Sequence, residues 1–149
     1  MTVGKVCNRE VIVIDKTASI AEAARLMREY HVGDLVVVEE RTGKRVPVGI
    51  VTDRDIVLEV IAAGVDMNDV NVGDIMSNNL VTARENDSVL ETVKIMRAKG
   101  IRRLPVINDD NDLVGILAVD DLIDLFSEQI VDLARLIARE QQREKEKRK

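Results

Sequence analysis

Apolar positions along this chain switch between two periods. Ile20, Ala23, Ala24 and Met27 recur at helical spacing, and Val89, Val93 and Met96 do so again later. Each helical run opens with Ser-x-x-Glu (Ser19 to Glu22; Ser88 to Glu91), the spacing of a capping box. A short strand precedes each of them, over Val11 to Ile14 and Leu80 to Ala83. A β-branched hairpin follows each: Leu35 to Val38 turns into Val48 to Val51, and Leu104 to Ile107 turns at Asp110-Asn111 into Leu113 to Leu117. A second helical run, Ile56, Val57, Val60 and Ile61, closes the first unit and stops at Gly64. The predicted order is β-α-β-β-α, twice.

The recurrence is a sequence repeat. An offset of 69 places Val3-Gly4-x-Val6 on Val72-Gly73-x-Ile75, Leu26-Met27-Arg28 on Ile95-Met96-Arg97, and Val32-x-x-Leu35 on Ile101-x-x-Leu104. The offset becomes 66 after the longer first hairpin (Arg41-Thr42-Gly43-Lys44), and Val48-Gly49-Ile50-Val51 then meets Val114-Gly115-Ile116-Leu117. The expected organisation is a first copy over 3–64, a connection over 65–71, a second copy over 72–126, and a helix with a charged tail over 127–149. In the last segment Ile130, Leu133 and Ile137 give an extra apolar face for the module or for a second subunit.

Composition narrows the possibilities. Hydrophobic residues make up 46% of the 149, enough to fill a core, but Tyr30 and Phe126 are the only aromatics. Base stacking on aromatic platforms is excluded as a main mode, and a net charge of -5 opposes general nucleic-acid affinity. A nucleic-acid role would have to use the tail from Arg139, which reads more simply as a solvated helix end. No run approaches the roughly 20 apolar residues of a membrane span, and residues 1–5 lack a signal-peptide core, so the expected location is cytoplasmic. The single cysteine, Cys7, is expected to be a small core residue.

The stretch Gly49-Ile50-Val51-Thr52-Asp53-Arg54-Asp55 runs from strand to helix. Its Thr-x-x-Asp admits two readings. Thr52 and Asp55 can cap the helix, or they can face a phosphate and ribose hydroxyls at a helix N-terminus. The one histidine, His31, falls where the first helix ends and matches Gly100, which suits a helix C-terminus better than a general base. No Ser/His/Asp set, histidine-rich cluster or Walker-type glycine loop is present. A catalytic role has no residues to carry it.

The duplicated unit, the strand entry Ile101-Arg102-Arg103-Leu104-Pro105-Val106 and the Gly-x-x-Thr-x-x-Asp exit together resemble a pair of CBS domains, the Bateman module. The resemblance implies an α/β fold: tandem duplicated β-α-β-β-α CBS units packed sheet to sheet with pseudo-twofold symmetry. It also implies a regulatory sensor rather than an enzyme, binding AMP, ADP, ATP or S-adenosylmethionine in a cleft, with AMP the first expectation and no cofactor. Such modules stand alone or serve a larger partner, here unknown, and often pair as homodimers. The family pattern falls on Gly49, Thr52 and Asp55, whereas the second copy keeps Asp121 and replaces the hydroxyl by Ala118. The resemblance implies that one cleft gathers Thr52, Arg54 and Asp55 with Thr82, Arg102, Arg103 and Pro105. The other would gather Ala118 and Asp121 with Val13, Gly33 and Asp34. The first is then expected to be cationic and competent, and the second weak or empty. The rival expectation is an interaction module with empty clefts.

Overall fold

The computed structural model describes residues 1–148. Its elements are α1 (Val3–Val6), β1 (Val13–Asp15), α2 (Ile20–Tyr30), β2 (Asp34–Arg41), β3 (Lys44–Thr52), α3 (Asp53–Ile56) and a π-helical turn (Val57–Ile61). Then come α4 (Val72–Ile75), β4 (Ala83–Arg84), α5 (Val89–Lys99), β5 (Arg103–Ile107), β6 (Leu113–Ala118) and α6 (Val119–Lys147). Two three-stranded sheets result, in the orders β1-β2-β3 and β4-β5-β6. β1 lies parallel to β2, and β2 and β3 form an antiparallel hairpin.

Local chemistry explains the element ends. Ser19 and Ser88 cap α2 and α5 by accepting from the N–H of Glu22 and Glu91. Both helices close on a left-handed residue, His31 (φ 54°) and Gly100 (φ 66°), whose own N–H bonds back to the last turn. His31 therefore occupies a position that favours glycine, which is why the repeat matches it to Gly100. The β2–β3 turn places Thr42 and Gly43 at positive φ, as a tight two-residue hairpin requires.

Residues of β2 and β5 are buried in near-continuous runs, Leu35–Val37 and Leu104–Ile107, because both faces of these strands are covered. The first core gathers Ile14, Ala23, Met27, Leu35, Val37 and Val51. It also contains Val72, from the other copy. Met27 and Met96 are buried packing residues.

Val72 is there because the leading segment of each copy crosses to its counterpart. Val72 and Gly73 donate to the carbonyls of Ala18 and Lys16, and Ser77 donates to Ile50. In the matching exchange Val3 and Gly4 donate to Asp87 and Glu85, while Asn8 and Ile116 bond reciprocally at 2.9 Å. The two sets are related by the repeat, and they are the pseudo-twofold written in hydrogen bonds. Gly49 and Gly115 make these crossings close. A Cβ on Gly49 would fall 2.6 Å from Met76 Sδ and 2.8 Å from the Ser77 carbonyl, and one on Gly115 would fall 2.6 Å from Cys7 Sγ. Cys7 is half-buried there, and burial pushes its thiol pKa up.

Met1–Leu117 forms one compact unit, and a second begins at Ala118. The second is essentially α6, which runs without a break through residue 127 to Lys147, so the final helix and the expected C-terminal helix are one element. No helix among the described residues is long and apolar enough to cross a membrane. Lys149 lies outside the described residues.

Candidate functional site

Where β3 delivers the chain into α3, Thr52 and Asp55 form a reciprocal capping box. Thr52 Oγ1 accepts from Asp55 N–H at 3.1 Å, and Asp55 Oδ2 accepts from Thr52 N–H at 2.9 Å. The capping reading is realised in full. It uses one carboxylate oxygen and leaves the threonine proton available, so the same pair also presents polar atoms to the space in front of it.

That space is a cavity of about 320 Å³, a volume suited to a small ligand. Its first wall is Ile50, Thr52 and Asp55. The crossed segment supplies Ser77, Asn79, Leu80 and Val81, and the entry to β5 supplies Ile101, Arg102 and Arg103. Asp34, at the start of β2, completes it. Both repeats thus contribute, and the Ser77–Ile50 crossing bond holds one wall against the other.

Four of the sequence-predicted residues, Thr52, Asp55, Arg102 and Arg103, line this cavity. The other four lie elsewhere. Arg54 is exposed one residue past Asp53 and does not line the cavity. Thr82 is exposed and lines a separate recess with Lys44, Pro47, Ile107 and Asp110, because neighbouring residues of an extended segment face opposite ways. Pro105 is fully buried inside β5 and does not line this cavity. Asp121 sits exposed in the first turn of α6, whose N-cap, Ala118, makes no side-chain bond.

Asp34 corrects the expected division of residues between clefts. Expected opposite Ala118 and Asp121, it instead lines the cavity of Thr52 and pairs with Arg103, Oδ1 to Nε at 3.2 Å. The physical reason is symmetry. Asp34 and Arg103 occupy the same position of the two copies, and equivalent residues that touch must lie beside the pseudo-twofold axis. Lys44 and Asp110, from the two hairpin turns, pair at 3.7 Å. The cavity is therefore of mixed charge rather than simply cationic. Burial raises the pKa of Asp34, Arg103 pulls it back, and the nearby Asp53 carboxylate raises it further. With its side chain only 13% exposed, Asp34 is a partner whose charge a ligand at Arg103 must meet.

The residues that sequence reasoning missed, Ser77, Asn79, Leu80 and Val81, come from the crossed segment. No local pattern marks them. Asp34 did carry a signal, because it stands at the repeat position of an arginine.

Comparison with known proteins agrees with this architecture. The family model described as "CBS domain" matches residues 3–62 and 72–128. An uncharacterized protein of Methanopyrus kandleri is 41% identical over 123 residues, 83% of this chain and 61% of that one. The chain thus spans less than two thirds of that relative's length. A CBS domain-containing protein of Bacillus subtilis is 40% identical over 113 residues, covering 76% of each. Among solved structures, a CBS domain pair in complex with methylthioadenosine and S-adenosyl-L-methionine superposes with a TM-score of 0.73 at 29% identity, covering 87% of this chain and 98% of the other.

Proposed function

We propose, from the premise that this chain belongs to the CBS domain family, that it is a non-catalytic sensor of an adenosine-type ligand held in the cavity between its two copies. The observation that carries this reading is the convergence of Thr52, Asp55, Arg102 and Arg103 from both copies on one cavity of ligand size. The ligands of the similar solved pair support the class. AMP is the first candidate, with ADP, ATP and S-adenosylmethionine as the others.

In this reading Asp55 accepts from ribose hydroxyls with the oxygen its cap does not use, and Thr52 donates toward a phosphate. Arg102 and Arg103 provide charge-assisted bonds. Ile50, Leu80, Val81 and Ile101 supply the apolar surface for a base. A ligand touching both copies stabilises one arrangement of their walls, and a partner protein reads that arrangement. The shift it causes is limited to its differential affinity for the two states. The second site, with Ala118 in place of the threonine, is the weaker one. The protein acts in the cytoplasm as a homodimer.

Calorimetric titration with the four ligands tests the proposal. Asp55→Asn keeps a capping oxygen but loses the charge, and it weakens binding roughly tenfold or more. Asp121→Asn weakens it less. Equal losses from the two variants would refute the asymmetry. A second reading, an interaction module with empty clefts, draws on the exposed apolar residues of α6. Absence of any thermal shift with all four ligands would favour it.

A further inference from the structure

Copy two enters its hairpin through Arg102-Arg103, and copy one, at the same repeat positions, through Gly33-Asp34. One arginine position of the repeat thus carries the opposite charge where the two copies meet. Asp34 Oδ1 accepts from Arg103 Nε at 3.2 Å, and both side chains line the cavity that holds Thr52 and Asp55. The Asp34 side chain is 13% exposed against 39% for Arg103, so the carboxylate has less room to turn toward water than the guanidinium it pairs with.

A second carboxylate stands behind it. Asp53 N–H donates to the Gly33 carbonyl at 2.9 Å, and a Cβ on Gly33 would fall 3.1 Å from Asp53 Oδ2, so Asp53 is held against the residue before Asp34. Burial pushes the Asp34 pKa up, Arg103 offsets this in part, and Asp53 adds to it.

These side chains decide how much negative charge the cavity can take. Its lining holds two guanidinium groups, Arg102 and Arg103, and two carboxylates, Asp34 and Asp55, and is formally neutral. Arg54, one residue past Asp53, does not line it. A phosphate monoester brings about -1.5 to -2 charge at pH 7, which two guanidinium groups match. A longer phosphate chain adds negative charge with no third cation in the lining to meet it, and Arg103 is already engaged by Asp34. The added charge then faces a carboxylate, and like charges brought together oppose binding.

We infer, resting on the adenosine-type reading of the same cavity, that Asp34 limits its ligand to a single phosphate, by placing a carboxylate on the guanidinium that a longer phosphate chain would need. Asp34 is then a specificity residue, acting on ligand charge and not on the ribose or the base. Adenosine, which brings no charge, is indifferent to it.

Calorimetric titration of the full chain with adenosine, AMP, ADP and ATP tests this, without divalent cations so that each nucleotide keeps its full charge. The parent binds AMP roughly tenfold more tightly than ADP, and ADP more tightly than ATP. Asp34→Asn keeps an oxygen to accept from Arg103 and removes the charge. It narrows the gap between AMP and ADP roughly fivefold, as does the smaller Asp34→Ser, while adenosine affinity changes by less than about twofold. Asp34→Glu keeps the parent order. A parent that binds ATP as tightly as AMP would overturn the inference. So would an unchanged ratio of AMP to ADP affinity in Asp34→Asn, or an equal gain for adenosine and ADP, which would mean that the substitution acts through the shape of the cavity. A parent that binds none of the four would instead remove the adenosine-type reading, and the phosphate limit with it.

Discussion

Gly49→Ala puts a single methyl group where β3 meets the crossed segment. The added Cβ would lie 2.6 Å from Met76 Sδ and 2.8 Å from the Ser77 carbonyl oxygen. The thioether can rotate away, whereas the carbonyl belongs to backbone that is fixed by the Ser77 N–H to Ile50 bond at 3.0 Å. Relief therefore requires the segment to retreat by several tenths of an ångström. Overpacking of this kind costs about 1–3 kcal/mol, and weakening the crossing bond adds about 0.5–1 kcal/mol. The smaller unfolded-state entropy of alanine returns about 0.4–1 kcal/mol. The net loss is about 2 kcal/mol, a fall in melting temperature of roughly 5–10 °C for a unit of this size. Thermal melts followed by circular dichroism measure it. Because Ser77 also lines the cavity, ligand affinity falls in the same variant. Gly115→Ala, facing Cys7 and the Asn8 carbonyl, behaves alike. A Gly49→Ala protein that melts within a degree of the parent would refute the reasoning, since the crossing would then accommodate a Cβ without cost.

Two further predictions concern single side chains. His31 holds a left-handed conformation at φ 54° in a position where the second copy has Gly100, so His31→Gly stabilises the fold by roughly 0.5–1 kcal/mol; a lower midpoint in urea denaturation would contradict this. Asp34 has its pKa raised above the ordinary 3.8 by burial, against the pull of Arg103. The stability linked to this group is fully present below the ordinary carboxylate value and is lost as pH rises through the raised one. The parent therefore gains stability relative to Asp34→Asn as pH falls from neutral toward 3.8, and parallel denaturation curves at pH 7 and pH 4 would count against it.

Much of the architecture was legible because the same pattern was written twice. The capping serines, the alternation in β3 and the turn at Thr42-Gly43 are local signals, and each fixes a local outcome. The one-turn helices α1 and α4 escaped because four residues cannot show a 3.6-residue period. The exchange of leading segments escaped for a different reason. Its hydrogen bonds join residues as distant as Asn8 and Ile116, and no window of sequence contains both. The cavity divides along the same line. Thr52 and Asp55 were legible from their own spacing, and Arg102 and Arg103 were assigned by family likeness and line the cavity. Thr82 and Pro105 were assigned to a cleft by family likeness, but strand alternation and burial send them elsewhere. Asp34 was misassigned because proximity to a symmetry axis is a property of the pair of copies, not of either one.

The exchanged segments also set an order of events during synthesis. Copy one obtains Val72 soon after its own last helical turn emerges, so its core closes early. The first eight residues must wait for strands that do not yet exist, because their partners are Glu85, Asp87 and finally Ile116. At translation rates of about 5–20 residues per second, the ribosome takes roughly 5–20 s to pass from Asn8 to Ile116. Throughout that interval Val3, buried in the finished protein, lies on an unpaired segment. The leading segment of the first copy is made well before its partners and is among the last parts of the module to be folded, and in a crowded polysome it is open throughout to pairing with the wrong copy.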